Sequence, residues 1–135
     1  MNNKMKSIYN FFWPDSRIDE IRIQYDVAEI IVWQYEMEKW LTIRCTGFAG
    51  ITNACIWDDT TIYDLDVRLV TEADNDFLRV LYTAYDENFE YGAGRILKNG
   101  LLELKIEPVN YIPFYIYCQE IYVVEDEVIF KEMTF

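Results

Sequence analysis

Apolar and polar residues alternate along much of the chain, and this pattern predicts β-strands. The alternation is clear over residues 21–25 and 41–46, while residues 29–34 form an almost continuous apolar run rich in branched and aromatic side chains. A period of two places every second side chain on one face of a sheet, and a short continuous run is typical of a buried strand. We therefore predict three strands here and a further strand over residues 51–57.

The middle of the chain repeats this alternation with charged residues in the polar positions. Because the apolar side chains of such a strand face the core, we expect the charged ones on the solvent face. The apolar set is Leu65, Val67 and Leu69, and the charged set is Asp64, Asp66 and Arg68.

The last third of the chain predicts a hairpin and a pair of strands. Asn99-Gly100 supplies the positive φ angles that a tight hairpin needs. The apolar parity changes between residues 114–118 and 121–123, which predicts a bulge or a short break between two strands. The residues after the turn that we expect to point inward are Leu102, Leu104 and Ile106.

One segment has helical spacing instead. Phe77, Leu81 and Ala84 recur at that spacing after an acidic start, and they predict a helix over residues 72–85. Antiparallel strands without regular crossover helices indicate a mainly β (α+β) fold, either an antiparallel sandwich or a strongly curved sheet, with about one helix. Without a flexible linker or an internal repeat, residues 1–135 are expected to form a single globular domain.

The charge and the missing histidine narrow the chemistry. The chain has 24 acidic and 12 basic residues and no histidine, which gives a formal charge of −12. It therefore lacks the usual general base, the Ser-His and Cys-His pairs and the commonest zinc ligand. Asp74-Asn75-Asp76 resembles the opening of a calcium loop, but Leu78 stands where the next oxygen ligand belongs. We expect no enzyme activity, no metal and no cofactor.

Targeting signals and cysteines bear on the compartment. Polar residues interrupt the N-terminal segment before an apolar run reaches signal-peptide length, and no run approaches the roughly 18–20 residues that span a bilayer. Cys45, Cys55 and Cys118 form an odd set without a CxxC pair. We expect a cytoplasmic protein with reduced, largely buried thiols and no membrane partner.

The negative charge is concentrated in one part of the chain. Residues 57–90 hold ten acids against two bases, which is −8 of the total −12. Such a face can serve solubility alone, or it can steer a basic partner protein while repelling nucleic acid. The candidate partner-binding residues are Trp57, Asp58, Asp59, Asp64, Asp66, Asp74 and Asp76.

Three segments resemble a known group of proteins. Residues 14–21, Pro-Asp-Ser-Arg-Ile-Asp-Glu-Ile, resemble the Asp-Ser-x-Ile-x-x-Ile opening of small bacterial immunity proteins of polymorphic toxin systems, although Pro14 stands where members often have histidine. Residues 41–48 resemble their strand that ends in glycine, and residues 114–123 resemble their closing strand pair. The resemblance implies a non-catalytic protein that binds and blocks a cognate toxin. Together with the acidic charge, it suggests an inhibitor of a basic, nuclease-type toxin.

A second interpretation starts from the aromatic residues, which make up 17% of the chain. If they line a cavity instead of filling a core, the protein is a small-ligand-binding β-barrel or a carboxylate-dependent enzyme with an aromatic pocket. A deep aromatic pocket with convergent carboxylates favours this alternative, and a filled interior beside an exposed acidic patch favours inhibition. Six rings could form a stacking platform for single-stranded nucleic acid, but the negative charge disfavours this and we expect them to pad the core or a sheet face. They are Trp33, Tyr35, Trp40, Tyr115, Tyr117 and Tyr122.

Overall fold

The computed structural model describes residues 5–52, 60–70 and 101–125, which form a mainly β, antiparallel sheet that does not close. The strands are β1 (Met5–Lys6), β2 (Arg17–Gln24), β3 (Val27–Gln34), β4 (Lys39–Thr46), β5 (Gly50–Thr52), β6 (Thr60–Val70), β7 (Leu101–Pro108), β8 (Phe114–Cys118) and β9 (Glu120–Val124). Their order across the sheet is β1-β9-β4-β3-β2-β6-β7-β8-β5. The predicted fold class is confirmed. The helix predicted over 72–85 and the Asn99-Gly100 turn lie outside the described residues.

The sheet consists of two halves that meet through a short contact. β2 pairs with β6 only through Arg17 opposite Thr61 and Ile18 opposite Thr60, whereas β2–β3, β3–β4 and β6–β7 pair along most of their length. Both halves nevertheless contribute to one hydrophobic cluster, in which Ile30 and Ile43 lie with Leu104 and other apolar residues of the second half. The sheet therefore curves so that its inner faces enclose a shared core, and burial of this apolar surface stabilises the fold.

Alternation predicted the inward-facing residues of β4 and β7 correctly. On β2 the predicted core face is wrong beyond Ile21, because Ile23 is 46% exposed and Tyr25, just after the strand, is 92% exposed. Ile43 and Cys45 on β4 are fully buried, as are Leu104 and Ile106 on β7. Leu102 is partly buried and packs against the same cluster. The period of two thus identifies the core face on both halves of the sheet.

β6 departs from its predicted alternation at one end. Leu65 is buried and Val67 packs partly against the core, but Leu69 is 65% exposed, so its predicted inward position is wrong. Leu69 lies opposite Leu102 near the end of the strand, while the neighbouring Val70 is buried. Strand periodicity predicts a face, but burial depends on how far the opposing layer extends.

The predicted change of parity near the C-terminal strands marks a crossing between the two halves. β8 pairs with β5 and β7, whereas β9 pairs with β1 and β4, and Gln119 separates them. The backbone N–H of Gln119 donates to the carbonyl of Thr46 at 2.9 Å. A Cβ atom on Gly47, whose φ is +64°, would overlap the Gln119 side chain. Both the left-handed backbone and the close approach therefore favour glycine there.

Candidate functional site

The two sequence-predicted partner-binding residues within the described ranges are both exposed on β6. Asp64 lies opposite Glu107 on β7, and Asp66 lies opposite Lys105. Like charges directly opposite each other on a sheet repel, so a cationic group placed over Asp64 and Glu107 would relieve an existing repulsion. The remaining candidates, which lie outside the described residues, are Trp57, Asp58, Asp59, Asp74 and Asp76.

Lys105 offsets one of the three negative charges of Asp64, Asp66 and Glu107. Its Nζ lies 3.6 Å from the Glu107 carboxylate, and both side chains are about a third or more exposed to water. Exposed ion pairs of this kind contribute roughly 0–1 kcal/mol, because water screens the attraction. Asp64, Asp66 and Glu107 therefore remain an acidic surface despite the neighbouring lysine.

Tyr9 forms hydrogen bonds with the edge of β6 beyond the two residues of β6 that pair with β2. Its hydroxyl lies 3.1 Å from the Asp66 carboxylate, to which it donates, and it accepts the backbone N–H of Val67, also at 3.1 Å. A hydroxyl can fill both roles because it carries one donor and two acceptor lone pairs. Tyr9 thereby fixes the Asp66 carboxylate while satisfying a strand-edge donor.

A buried carboxylate lies on the second half of the sheet. Glu103 on β7 is 3% exposed; it accepts from the Tyr117 hydroxyl at 2.9 Å and from Arg68 Nε at 2.8 Å. A buried carboxylate needs such charged and hydrogen-bonding partners to offset its desolvation. The three strands β6, β7 and β8 place this trio in one row. No sequence signal marks this trio, because Glu103 occupies an ordinary polar position in an alternating strand.

An open groove of about 430 Å³ lies at the β2–β3 turn. Arg44 lines it: Nη2 lies 2.8 Å from Glu29, and the guanidinium carbon lies 5.9 Å from the centre of the Tyr122 ring. Partial burial by itself lowers the pKa of Arg44, but the hydrogen bonds and charges of Glu29 and Tyr122 outweigh it, so the pKa lies above its ordinary value. Arg44 is therefore permanently charged, and it already forms an ion pair with Glu29.

The groove has an unusual residue at its rim. Tyr25 has a φ of +56° and is 92% exposed. It sits in the two-residue turn between Gln24 and Val27, where a tight hairpin requires a left-handed backbone. The turn geometry explains the conformation without invoking a ligand.

The aromatic residues do not form the continuous platform that the sequence allowed. Trp33 and Trp40 meet edge to face at 5.2 Å on neighbouring strands of the first half of the sheet. Tyr117 is buried against Glu103 on the second half, and Tyr122 lies under Arg44. In the described part of the chain these rings pack with different partners, as expected for side chains that pad sheet faces.

Two cysteines face each other in the core. Cys45 and Cys118 are buried and free, as predicted, whereas Cys55 lies outside the described residues. A side-chain hydrogen bond with Cys118 and burial together raise the pKa of the Cys45 thiol far above its ordinary value. A neutral, buried thiol is a poor nucleophile, so Cys45 is suited to packing. The spacing of Cys45 and Cys118 in the sequence did not indicate that they are neighbours in the core.

No family model and no curated protein matches the chain. Within residues 5–52, 60–70 and 101–125, no three His, Cys, Asp or Glu side chains are grouped so as to hold a metal ion. The same ranges contain no helix long and apolar enough to cross a membrane.

Proposed function

We propose that this protein is a non-catalytic, cytoplasmic binding protein of the immunity type, which inhibits a basic, nuclease-type toxin by covering its cationic surface. The observation that carries the proposal is the exposed acidic surface of Asp64, Asp66 and Glu107 in a chain of net charge −12. Carboxylates that repel one another on a sheet surface attract the cationic groups with which a nuclease binds phosphates.

The packing of the interior supports binding over catalysis in a cavity. Phe114, Ile30 and Leu41 are among the fully buried side chains that fill the space between the two halves of the sheet. The groove at the β2–β3 turn is open, and its arginine is already paired. These features favour the inhibitor over a ligand-binding barrel or a carboxylate-dependent enzyme, which needs unpaired polar groups converging in an enclosed pocket.

The direct experiment uses the gene immediately upstream, since immunity proteins are typically encoded beside their toxins. Its product should be toxic when expressed alone, and co-expression of this protein should restore growth. In a purified system, one equivalent of this protein should abolish nucleic-acid cleavage. An Asp64→Asn/Asp66→Asn double variant should inhibit less well at low salt, because electrostatic steering is screened as salt rises.

A substrate screen tests the non-catalytic part of the proposal. We expect no turnover of ester, peptide, phosphoester or glycoside substrates by the purified protein. Turnover that is lost when one carboxylate is replaced would contradict the proposal and favour the enzyme alternative.

A further inference from the structure

Three exposed apolar residues lie at the end of the sheet where β2 begins and β3 ends. Phe12 is 50%, Tyr35 60% and Met37 45% exposed. They belong to two separate segments, the chain entering β2 and the turn between β3 and β4. A single exposed apolar residue is ordinary, but several brought together from different loops are typical of an interaction surface.

Buried polar groups hold the two segments together. The Gln34 side chain is fully buried; its Nε2 donates to the Phe12 carbonyl at 2.5 Å, and its Oε1 accepts the Met37 N–H at 2.6 Å. The buried Ser16 hydroxyl accepts the Tyr35 N–H at 3.2 Å. These bonds fix the backbone at all three apolar residues, so binding a partner there would cost little backbone conformational entropy.

The charges beside these apolar residues are mainly negative. Asp15, Glu36 and Glu38 are exposed, and Arg17 is the exposed base next to them in the chain. Lys39, which follows Glu38, forms an ion pair with Glu125. Apolar residues bordered by carboxylates are complementary to a protein surface on which an apolar side chain is surrounded by Lys and Arg.

This end of the sheet is also where the acidic strand β6 starts. The Asp15 N–H donates to the Ile62 carbonyl at 2.9 Å, and the Ile62 N–H donates to the Ser16 carbonyl at 2.7 Å. Asp64 follows two residues after Ile62. The acidic strand and the apolar residues thus belong to one hydrogen-bonded part of the fold.

We propose that an anchoring surface, formed by Phe12, Asp15, Tyr35, Glu36, Met37 and Glu38, is the place where the basic partner docks. An apolar side chain of the partner packs against Phe12, Tyr35 and Met37, and its Lys and Arg residues meet the surrounding carboxylates. Aromatic and Met side chains are enriched in the buried centres of interfaces, and charged residues form their rims. The class of partner rests on the proposed function, whereas the location of the contact comes from the structure.

The first test does not depend on a toxin. A synthetic peptide of alternating Arg and Leu is titrated into ¹⁵N-labelled protein, beside a control peptide in which Ser replaces each Leu. We expect saturable shift changes at residues 12, 15 and 35–38, with about tenfold weaker binding of the control peptide because it lacks the apolar anchor. Shift changes centred elsewhere, equal binding of both peptides, or no saturable change would overturn the proposal.

The second test uses the product of the upstream gene. The Phe12→Ser/Tyr35→Ser/Met37→Ser variant should bind it at least about tenfold more weakly with an unchanged circular dichroism spectrum, because the bonds from Gln34 and Ser16 reach backbone atoms that the substitutions retain. Tyr25→Ser is the matched control at the other end of β2 and should leave the affinity within about twofold, as expected for an exposed residue outside the interface.

The outcomes separate the two proposals. If the wild-type protein fails to bind or neutralise the upstream product, the proposed function is wrong, and the peptide titration still decides where basic apolar ligands bind. If the wild type binds and the triple variant binds equally well, the anchoring surface is wrong while the function stands. Concentration-dependent self-association of the wild type, lost in the triple variant and seen by sedimentation velocity, would assign the surface to a second copy of the chain and overturn the proposal.

Discussion

Replacing Ile43 by alanine tests the central packing of the fold. Ile43 is fully buried on β4, between Ile30 of β3 and Val123 of β9. The substitution removes three carbon atoms from a site held by paired strands on both sides, so the surroundings can collapse only partly. Lost burial and the remaining cavity should lower the free energy of unfolding by roughly 2–5 kcal/mol.

Urea unfolding followed by circular dichroism measures this loss. A domain of this size has a total stability of about 5–15 kcal/mol, so the change is a large fraction of the whole. With a slope of about 2 kcal/mol per molar urea, the midpoint should fall by about 1–2.5 M while the slope stays constant. Recognition of a partner by the remaining folded protein should not be specifically affected, since Ile43 is remote from solvent.

Ile23 supplies the matched control for this prediction. It is also a strand isoleucine, on β2, but it is 46% exposed. Ile23→Ala should change the free energy of unfolding by less than about 0.5 kcal/mol, because few contacts are lost. A loss below about 1 kcal/mol for Ile43→Ala, or equal losses for the two variants, would refute the packing that we describe.

Three other predictions address the thiols, the acidic segment and the buried carboxylate. Three thiols should titrate after denaturation without reductant, and a count of fewer than three would reveal a disulfide. In the folded protein, Cys45 should stay slow to label even at about pH 9, because its raised pKa keeps the thiol neutral there. Asp58→Ser/Asp59→Ser should slow association with a cognate partner and flatten its salt dependence without destabilising the fold; an unchanged rate across a salt series would leave this pair a solubilising role. Glu103→Ala should lower the free energy of unfolding by about 1–3 kcal/mol, because it removes the acceptor of the buried Tyr117 hydroxyl. Glu103→Gln keeps an acceptor and should lower it less. Equal losses for the two variants in urea unfolding would contradict the hydrogen bond.

The strands and their inner faces could be predicted from the sequence because they depend on a local property. Side chains alternate between the two faces of any β-strand, so the pattern around Ile43 or Leu104 is readable without knowing the neighbouring strands. The parity change near Gln119 was readable for the same reason, and it proved to be the crossing between the two halves of the sheet. The exposed positions of Asp64 and Asp66 followed from this alternation as well.

Other features depended on contacts between distant parts of the chain. Leu69 fits the apolar parity of β6 but is exposed, and Glu103 fits a solvent-facing parity but is buried with Tyr117. Burial is decided by what the fold brings against a face, and the period of two carries no information about that layer.

The candidate surfaces divide in the same way. The distribution of charge along the chain is enough to indicate the acidic segment, because net charge is additive over the sequence. The anchoring surface needed the tertiary structure, since Phe12 and Met37 are brought to one place by a single buried amide, that of Gln34. Hydrogen bonds between residues far apart in the chain leave no periodic signal, and only the folded backbone determines which loops they join.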